Sequence, residues 1–266
     1  MAGLAITITS GKGGVGKTTS TANIGLALAK RGKRVACLDT DIGLRNLDVV
    51  LGLENRIIFD IVDVIYGKAR LRQALIKHKQ VPGLQLLPAA QKYEKTVINE
   101  KQLIHLCKDL RKEFDFVLLD CPAGIEHGYR NAIAPADEII IVTTPEMSAL
   151  RDADRVIGLV EAADKPAPKL IVNRYRPHLV KRGDMIAADA ILGLLKIDLL
   201  GIVPEDEAII AGTNIGEQVA LNSHSKAGDA YNRIAQRMLG EDVPIHKFDE
   251  PSNLLELFRF LRSSAA

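Results

Sequence analysis

The residues that decide the fold are Leu4-Ala5-Ile6-Thr7-Ile8-Thr9-Ser10, followed at once by Gly11-Lys12-Gly13-Gly14-Val15-Gly16-Lys17-Thr18-Thr19. An apolar, β-branched run gives way to a loop of pattern GxxxxGK[ST], and a helical stretch opens at Thr19. The chemistry of phosphate binding asks for these residue types in this order. Glycines let the backbone turn back and aim its N–H groups at an anion, and the start of the helix adds partial positive charge. Lys17 is placed to reach the β- and γ-phosphates, and the Thr18 hydroxyl to ligate Mg²⁺. Residues Gly11 to Thr19 are therefore expected to bind a nucleotide with Mg²⁺.

Working outward, short apolar runs recur at Leu4–Ser10, Arg34–Asp39, Leu84–Pro88, Phe114–Asp120, Glu138–Thr144, Lys169–Asn173 and Leu199–Pro204. Most are continuous, as in Phe116-Val117-Leu118-Leu119, rather than alternating. That is the mark of strands covered on both faces, hence of a parallel sheet. Helical segments fit between them at about 17–31, 99–112, 147–163, 184–195 and 225–239. In the second of these, Leu103, Ile104, Cys107 and Leu110 read as the buried stripe. Strand–helix alternation without a flexible linker predicts one doubly wound α/β domain, a P-loop NTPase fold with helices on both faces of a mostly parallel sheet.

The 266 residues include 47% hydrophobic and 26% charged side chains, an ordinary globular balance that excludes disordered and collagen-like classes. No charge-free run exceeds twelve residues, against the ~20 that a spanning helix needs. A net charge of +2 leaves no global surplus for nucleic acid. Cys37, Cys107 and Cys121 are widely spaced and never paired as CxxC, which suits a reducing compartment. With Cys107 on a helical core stripe, Cys121 lacks a second cysteine for a shared cluster. No basic-then-apolar leader precedes the first strand, so a cytoplasmic location is expected.

Two acids end apolar runs. Asp120 follows Phe116-Val117-Leu118-Leu119, the pattern of an acid that holds Mg²⁺, usually through water, and Asp39 closes the second run before Thr40-Asp41. Carboxylates at the C-terminal ends of parallel strands sit where such sheets bind ligands. The sixth run ends in Asn173-Arg174 and not in the NKxD of guanine-binding proteins, which favours ATP.

The second lysine, Lys12, makes the loop more specific. Lys12-Gly13-Gly14-Val15-Gly16-Lys17-Thr18 resembles the deviant Walker A motif of the MinD/ParA family of ATPases. The likeness extends over essentially the whole chain: GLRNLDVVLGLE at 43–54, QALIKHK at 73–79, DCPAGIEHG at 120–128, VTTPEMSALRDADRVIGL at 142–159 and LLGIVPED at 199–206. The MinD branch of that family is the closer match.

That resemblance implies that Lys12 crosses a dimer interface to the partner's nucleotide, as an arginine finger does. It implies catalytic roles for Lys12, Lys17, Asp41 and Asn46, with Asp41 orienting water. Thr18, Asp39 and Asp120 stand on the metal side, Asp39 as a metal-side or structural acid. Asn173, Arg174, Pro204 and Glu205 would flank adenine. The helix bearing Ser148, Arg151, Asp152 and Asp154 would bind a MinC-like inhibitor and a MinE-like activator. The activity implied is a Mg²⁺-dependent, partner-stimulated ATPase that positions the division site.

After Pro251 the chain reads Ser252-Asn253-Leu254-Leu255-Glu256-Leu257-Phe258-Arg259-Phe260-Leu261-Arg262. At about 100° per residue, Leu254, Leu257, Phe258, Phe260 and Leu261 share one face. This pattern suits an interfacial anchor. The expected organisation is an ATPase domain over 1–243, a linker over 244–251 and a membrane-targeting helix over 252–266. The chain would then lie on the inner face of the cell membrane, or its plastid equivalent. A ParA-type DNA-partitioning ATPase is the alternative; it calls for a basic surface and no tail. A metabolic P-loop enzyme is a third reading, for which GLRNLD offers no small-molecule pocket signature.

Overall fold

The computed structural model describes residues 2–94 and 96–246. The tail residues Leu254, Leu257, Phe258, Phe260 and Leu261, and all but the start of the linker, lie outside the described residues.

The strands are β1 (Leu4–Thr9), β2 (Val35–Asp39), β3 (Ile76–Lys77), β4 (Leu84–Leu87), β5 (Phe116–Asp120), β6 (Glu138–Thr143), β7 (Lys169–Tyr175) and β8 (Asp198–Pro204). They form one sheet of order β3-β4-β2-β5-β1-β6-β7-β8. All pairs are parallel except β3 with β4. Every residue of β2 and β5 is buried, as continuous apolar runs require of central strands.

The first half of the chain adds α1 (Lys17–Lys30), α2 (Leu47–Val50), α3 (Ile61–Ile65), α4 (Leu71–Ala74) and α5 (Glu100–Glu113). The second half adds α6 (His127–Ile133), α7 (Met147–Ala162), α8 (Pro177–Lys181), α9 (Ala188–Leu195), α10 (Glu207–Ile215) and α11 (Lys226–Met238). One apolar layer joins Ile6 and Ile8 of β1 to α1 and α11. On the opposite face, Ala5 belongs to the layer under α5, while α7 and α9 cover β6, β7 and β8. A doubly wound sheet places its crevice where the strand order reverses, beyond the C-terminal ends of the strands. Here that point lies at β1, and the loop leaving β1 is Ser10–Gly16.

Several expectations need correction. Ile104 is 44% exposed, and Leu106 takes its place beside Leu103, Cys107 and Leu110. On a helix wheel Ile104 stands about 100° from Leu103, off the arc that the other four occupy. The segment 184–195 is helical only from Ala188, and β7 runs on to Tyr175 through an irregularity at its end. Sequence periodicity missed β3 and the helices α2, α3, α4, α6, α8 and α10. Helix α10, Glu-Ala-Ile-Ile-Ala-Gly-Thr-Asn-Ile, buries no residue, so no polar–apolar alternation marks it; the Asp206 side chain caps it by accepting from Ala208 N–H at 3.0 Å.

Candidate nucleotide site

The loop after β1 is shaped by backbone that only glycine adopts readily. Gly14 has φ 77° and Gly16 φ 99°, the left-handed region that costs other residues energy. Gly16 is also the N-cap of α1, where it supplies no side-chain cap. The first N–H groups of α1 therefore point into the loop without an intrahelical partner, an arrangement suited to an anion. Lys17, on the first turn, is buried.

Beneath the loop, β2 and β5 pair so that Asp39 stands opposite Asp120. Both are buried, and burial is the first cause raising each carboxyl above its ordinary range. Mutual repulsion raises Asp120 further, while hydrogen bonds from Thr18 and Thr21 and the charge of Lys17 pull it down. Two carboxyls held together out of water favour a shared proton or a bound cation. Thr21, one turn beyond Lys17, donates to Asp120 Oδ1 at 3.1 Å.

Asp39 organises the segment after β2. Its Oδ1 accepts from Asp41 N–H at 3.0 Å, and its Oδ2 from Asn46 and Leu47 N–H at 3.0 and 3.1 Å. Thr40 fastens the same segment to β5, its N–H and hydroxyl both donating to Asp120 O at 3.1 and 2.6 Å. Asp41 emerges half-buried and Asn46 exposed. Within the segment, Arg45 Nε pairs with the buried Asp48 at 2.9 Å.

At the end of β7 the Asn173 side chain is buried and its Nδ2 donates to Val15 O at 2.7 Å. A Cβ on Gly16 would overlap that Nδ2. Asn173 thus braces the loop, while its Oδ1 is buried with no hydrogen-bond partner among the described residues. Arg174 follows, exposed and left-handed at φ 56°. Pro204 pairs with Tyr175 in the sheet. Glu205 pairs with Arg176, and its N–H donates to Tyr175 O.

Lys12 is exposed and donates to Ser148 Oγ on α7 at 3.4 Å. Gly11 lies so close to the Asp152 backbone that a Cβ would overlap its carbonyl. Helix α7 buries Ala149, Leu150, Ala153, Val156, Ile157 and Val160. Ser148, Arg151 and Asp154 lie on the exposed side and Asp152 is half-buried. The structure thus brings together the loop, the three acids, Asn173 and the start of α7. Thr21, Thr40 and the bracing role of Asn173 went unread in the sequence. Thr40 stood inside the tripeptide Asp39-Thr40-Asp41, but only strand register reveals what it touches. Among the described residues, no helix is long and apolar enough to cross a membrane.

A family model described as an AAA domain matches residues 3–171. The chain is 55% identical over 250 residues to the septum site-determining protein MinD of Bacillus subtilis (strain 168), covering 93% of each. The MinC:MinD cell division protein complex of Aquifex aeolicus superposes with a TM-score of 0.86 at 46% identity, over 92% of this chain and 99% of that one. MinD of Pyrococcus horikoshii OT3, solved with Mg-ADP, gives a TM-score of 0.79 at 34% identity, over 88% and 95%.

Proposed function

The chain belongs to the MinD family of septum site-determining proteins, and from that membership we propose how its nucleotide site drives division-site placement. The protein is an ATPase that uses ATP and Mg²⁺, and its role is in choosing where division occurs. The observation that carries the mechanism is the uncapped start of α1, with the buried pair Asp39 and Asp120 set beneath the loop that leads to it.

The N–H groups of Gly11–Thr19 and the Lys17 ammonium hold the phosphates. Thr18 and Asp120 would hold Mg²⁺. Bound Mg²⁺ supplies charge neutralisation at the phosphates. The buried acid pair, whose mutual repulsion a cation would relieve, fits that role. Asp39 serves as the structural acid of the pair, since three backbone N–H groups already occupy it. Asp41 and Asn46, held by that acid, orient the attacking water. The buried acceptor Asn173 Oδ1 suits the 6-amino group of adenine and opposes the 6-oxo group of guanine. Arg174, Pro204 and Glu205 flank the base.

Lys12, exposed at the rim of the loop, reaches the nucleotide of a second copy, so the site is complete only in an ATP-bound homodimer. The exposed side of α7 at Ser148, Arg151, Asp152 and Asp154 receives a MinC-like inhibitor, consistent with the Aquifex aeolicus complex, and a MinE-like activator that triggers hydrolysis. The tail 252–266, joined through the linker 244–251 to the ATPase domain 1–243, holds the protein peripherally on the cytoplasmic face of the membrane. A single tail, half-burying five large side chains, contributes only about 4–8 kcal/mol before ordering costs. Two tails on one dimer gain affinity about 10²–10⁴-fold from effective concentration. Attachment therefore follows ATP.

Liposome sedimentation with ATP and with ADP tests this reading. Sedimentation with ATP alone is expected; equal sedimentation with both nucleotides, or none with either, overturns it. Tight, salt-sensitive binding in a DNA gel-shift would instead support a DNA-partitioning role.

A further inference from the structure

The segment that carries Asp41 and Asn46 ends in the short helix α2, and the last residue of α2 is held by a buried side-chain relay from two distant parts of the chain. Gln218, 4% exposed, donates both hydrogens of Nε2, to Val50 O at 2.8 Å and to Gly216 O at 2.9 Å. Its Oε1 then has to accept, and it faces His78 Nε2 at 3.1 Å. His78 is buried to the same degree, and its Nδ1 accepts Val81 N–H at 3.2 Å. These partners leave one consistent arrangement: a neutral imidazole with its proton on Nε2, donating to Gln218. Burial lowers the His78 pKa, which keeps the ring in that form.

The relay has a geometric consequence. Asp39 receives the N–H groups of Asn46 and Leu47 at the start of α2, and Gln218 receives the other end through Val50 O. The helix is only four residues long, too short to hold its own direction. Beside the relay, Gly52 packs on Gly216, where a Cβ on Gly52 would lie 2.7 Å from Gly216 O. Gly216 caps α10, and α10 begins three residues after Pro204. The chain that flanks the base is thereby joined, through one helix, to the clamp on the water-orienting segment.

We propose that Gln218, fixed by His78, is a positioning residue for ATP hydrolysis: it sets the end of α2 and through it the placement of Asp41 and Asn46. This rests on the reading that residues 41–46 serve the hydrolytic step. Gln218 and His78 act through α2 and not as ligands of the nucleotide. Their effect falls on turnover and not on ATP capture, because the phosphate loop is braced separately by Asn173.

The test uses Gln218→Met, which keeps length and apolar volume but removes every hydrogen bond, His78→Phe, and the two combined in the full-length chain. Amide exchange in residues 41–52 of Gln218→Met is expected to quicken about tenfold while exchange in 11–19 stays unchanged. Turnover should fall about tenfold with KM for ATP within about twofold, and the double variant should fare no worse than Gln218→Met alone. Unchanged exchange in 41–52 overturns the proposal, as does a parallel loss of turnover and ATP affinity that tracks the melting temperature. Asp41→Asn separates the layers. If it abolishes turnover while Gln218→Met leaves turnover intact, the positioning role is wrong. If turnover survives Asp41→Asn, the reading of 41–46 fails and the proposal falls with it.

Discussion

Asp39 and Asp120 stand directly opposite each other across the parallel strands β2 and β5, both buried, at the strand ends beneath the phosphate loop. Burial pushes them up to about 6 and about 7. In nucleotide-free protein the folded chain therefore keeps protons that the unfolded chain has released between about pH 4 and pH 7, so these groups stabilise the fold at low pH and lose that contribution as pH rises through the window. A melting series over that range should show the decline. Asp120→Asn, which retains an acceptor for Thr21, should flatten it, and saturating Mg²⁺–ADP should flatten it in the unaltered chain.

Asn173→Ala removes both the brace on Val15 O and the buried Oδ1 acceptor. ATP affinity should drop about tenfold, on the order of 1.4 kcal/mol, and the preference for ATP over GTP should shrink. Competition titrations with the two nucleotides measure both effects.

Gly11→Ala would drive a Cβ into the Asp152 carbonyl of α7, a backbone atom that cannot swing away, whereas a Cβ on Gly13 meets only Ala123 at 3.7 Å. Nucleotide-free stability should fall by about 1–3 kcal/mol for Gly11→Ala and stay nearly unchanged for Gly13→Ala. Urea unfolding of the two variants decides it; equal stability would refute the packing of loop on α7.

On the proposal that the lysine serves the partner's nucleotide, Lys12→Ala should retain ATP binding by its own loop and lose activator-stimulated turnover. Full stimulated turnover in the variant would refute a role in trans. Mixing Lys12→Ala with a binding-deficient Lys17→Ala chain and assaying turnover of the mixture asks the same question from both sides.

Removing residues 252–266 should abolish ATP-dependent liposome sedimentation and leave nucleotide binding in solution intact. Sedimentation that persists after the deletion would refute the membrane role of the tail.

Much of this molecule is legible from local sequence. The glycine loop, the lysines and the apolar strand before them are contiguous, so their chemistry can be read without knowing where the rest of the chain goes. The continuous apolar runs announce a parallel sheet because a strand buried on both faces has no polar side to alternate with. The acids at the ends of those runs are equally visible, because a strand's last residue in such a sheet faces the ligand crevice. Periodicity failed where burial was absent, as along α10, or where a residue sat at the edge of the buried arc, as with Ile104.

By itself, then, the sequence determined the sheet type, the phosphate loop and the list of candidate acids, all consequences of local backbone preference and hydrophobic pattern. Tertiary structure alone decided what each acid touches. Strand register set Asp39 against Asp120, left Asp39 filled by three backbone N–H groups and gave Thr40 its hold on β5. Crossover packing brought Asn173 to Val15, His78 to Gln218 and Gln218 to Val50. Such contacts join residues far apart in the chain through side chains that buried polar groups must satisfy, and no local pattern encodes which distant partner will satisfy them.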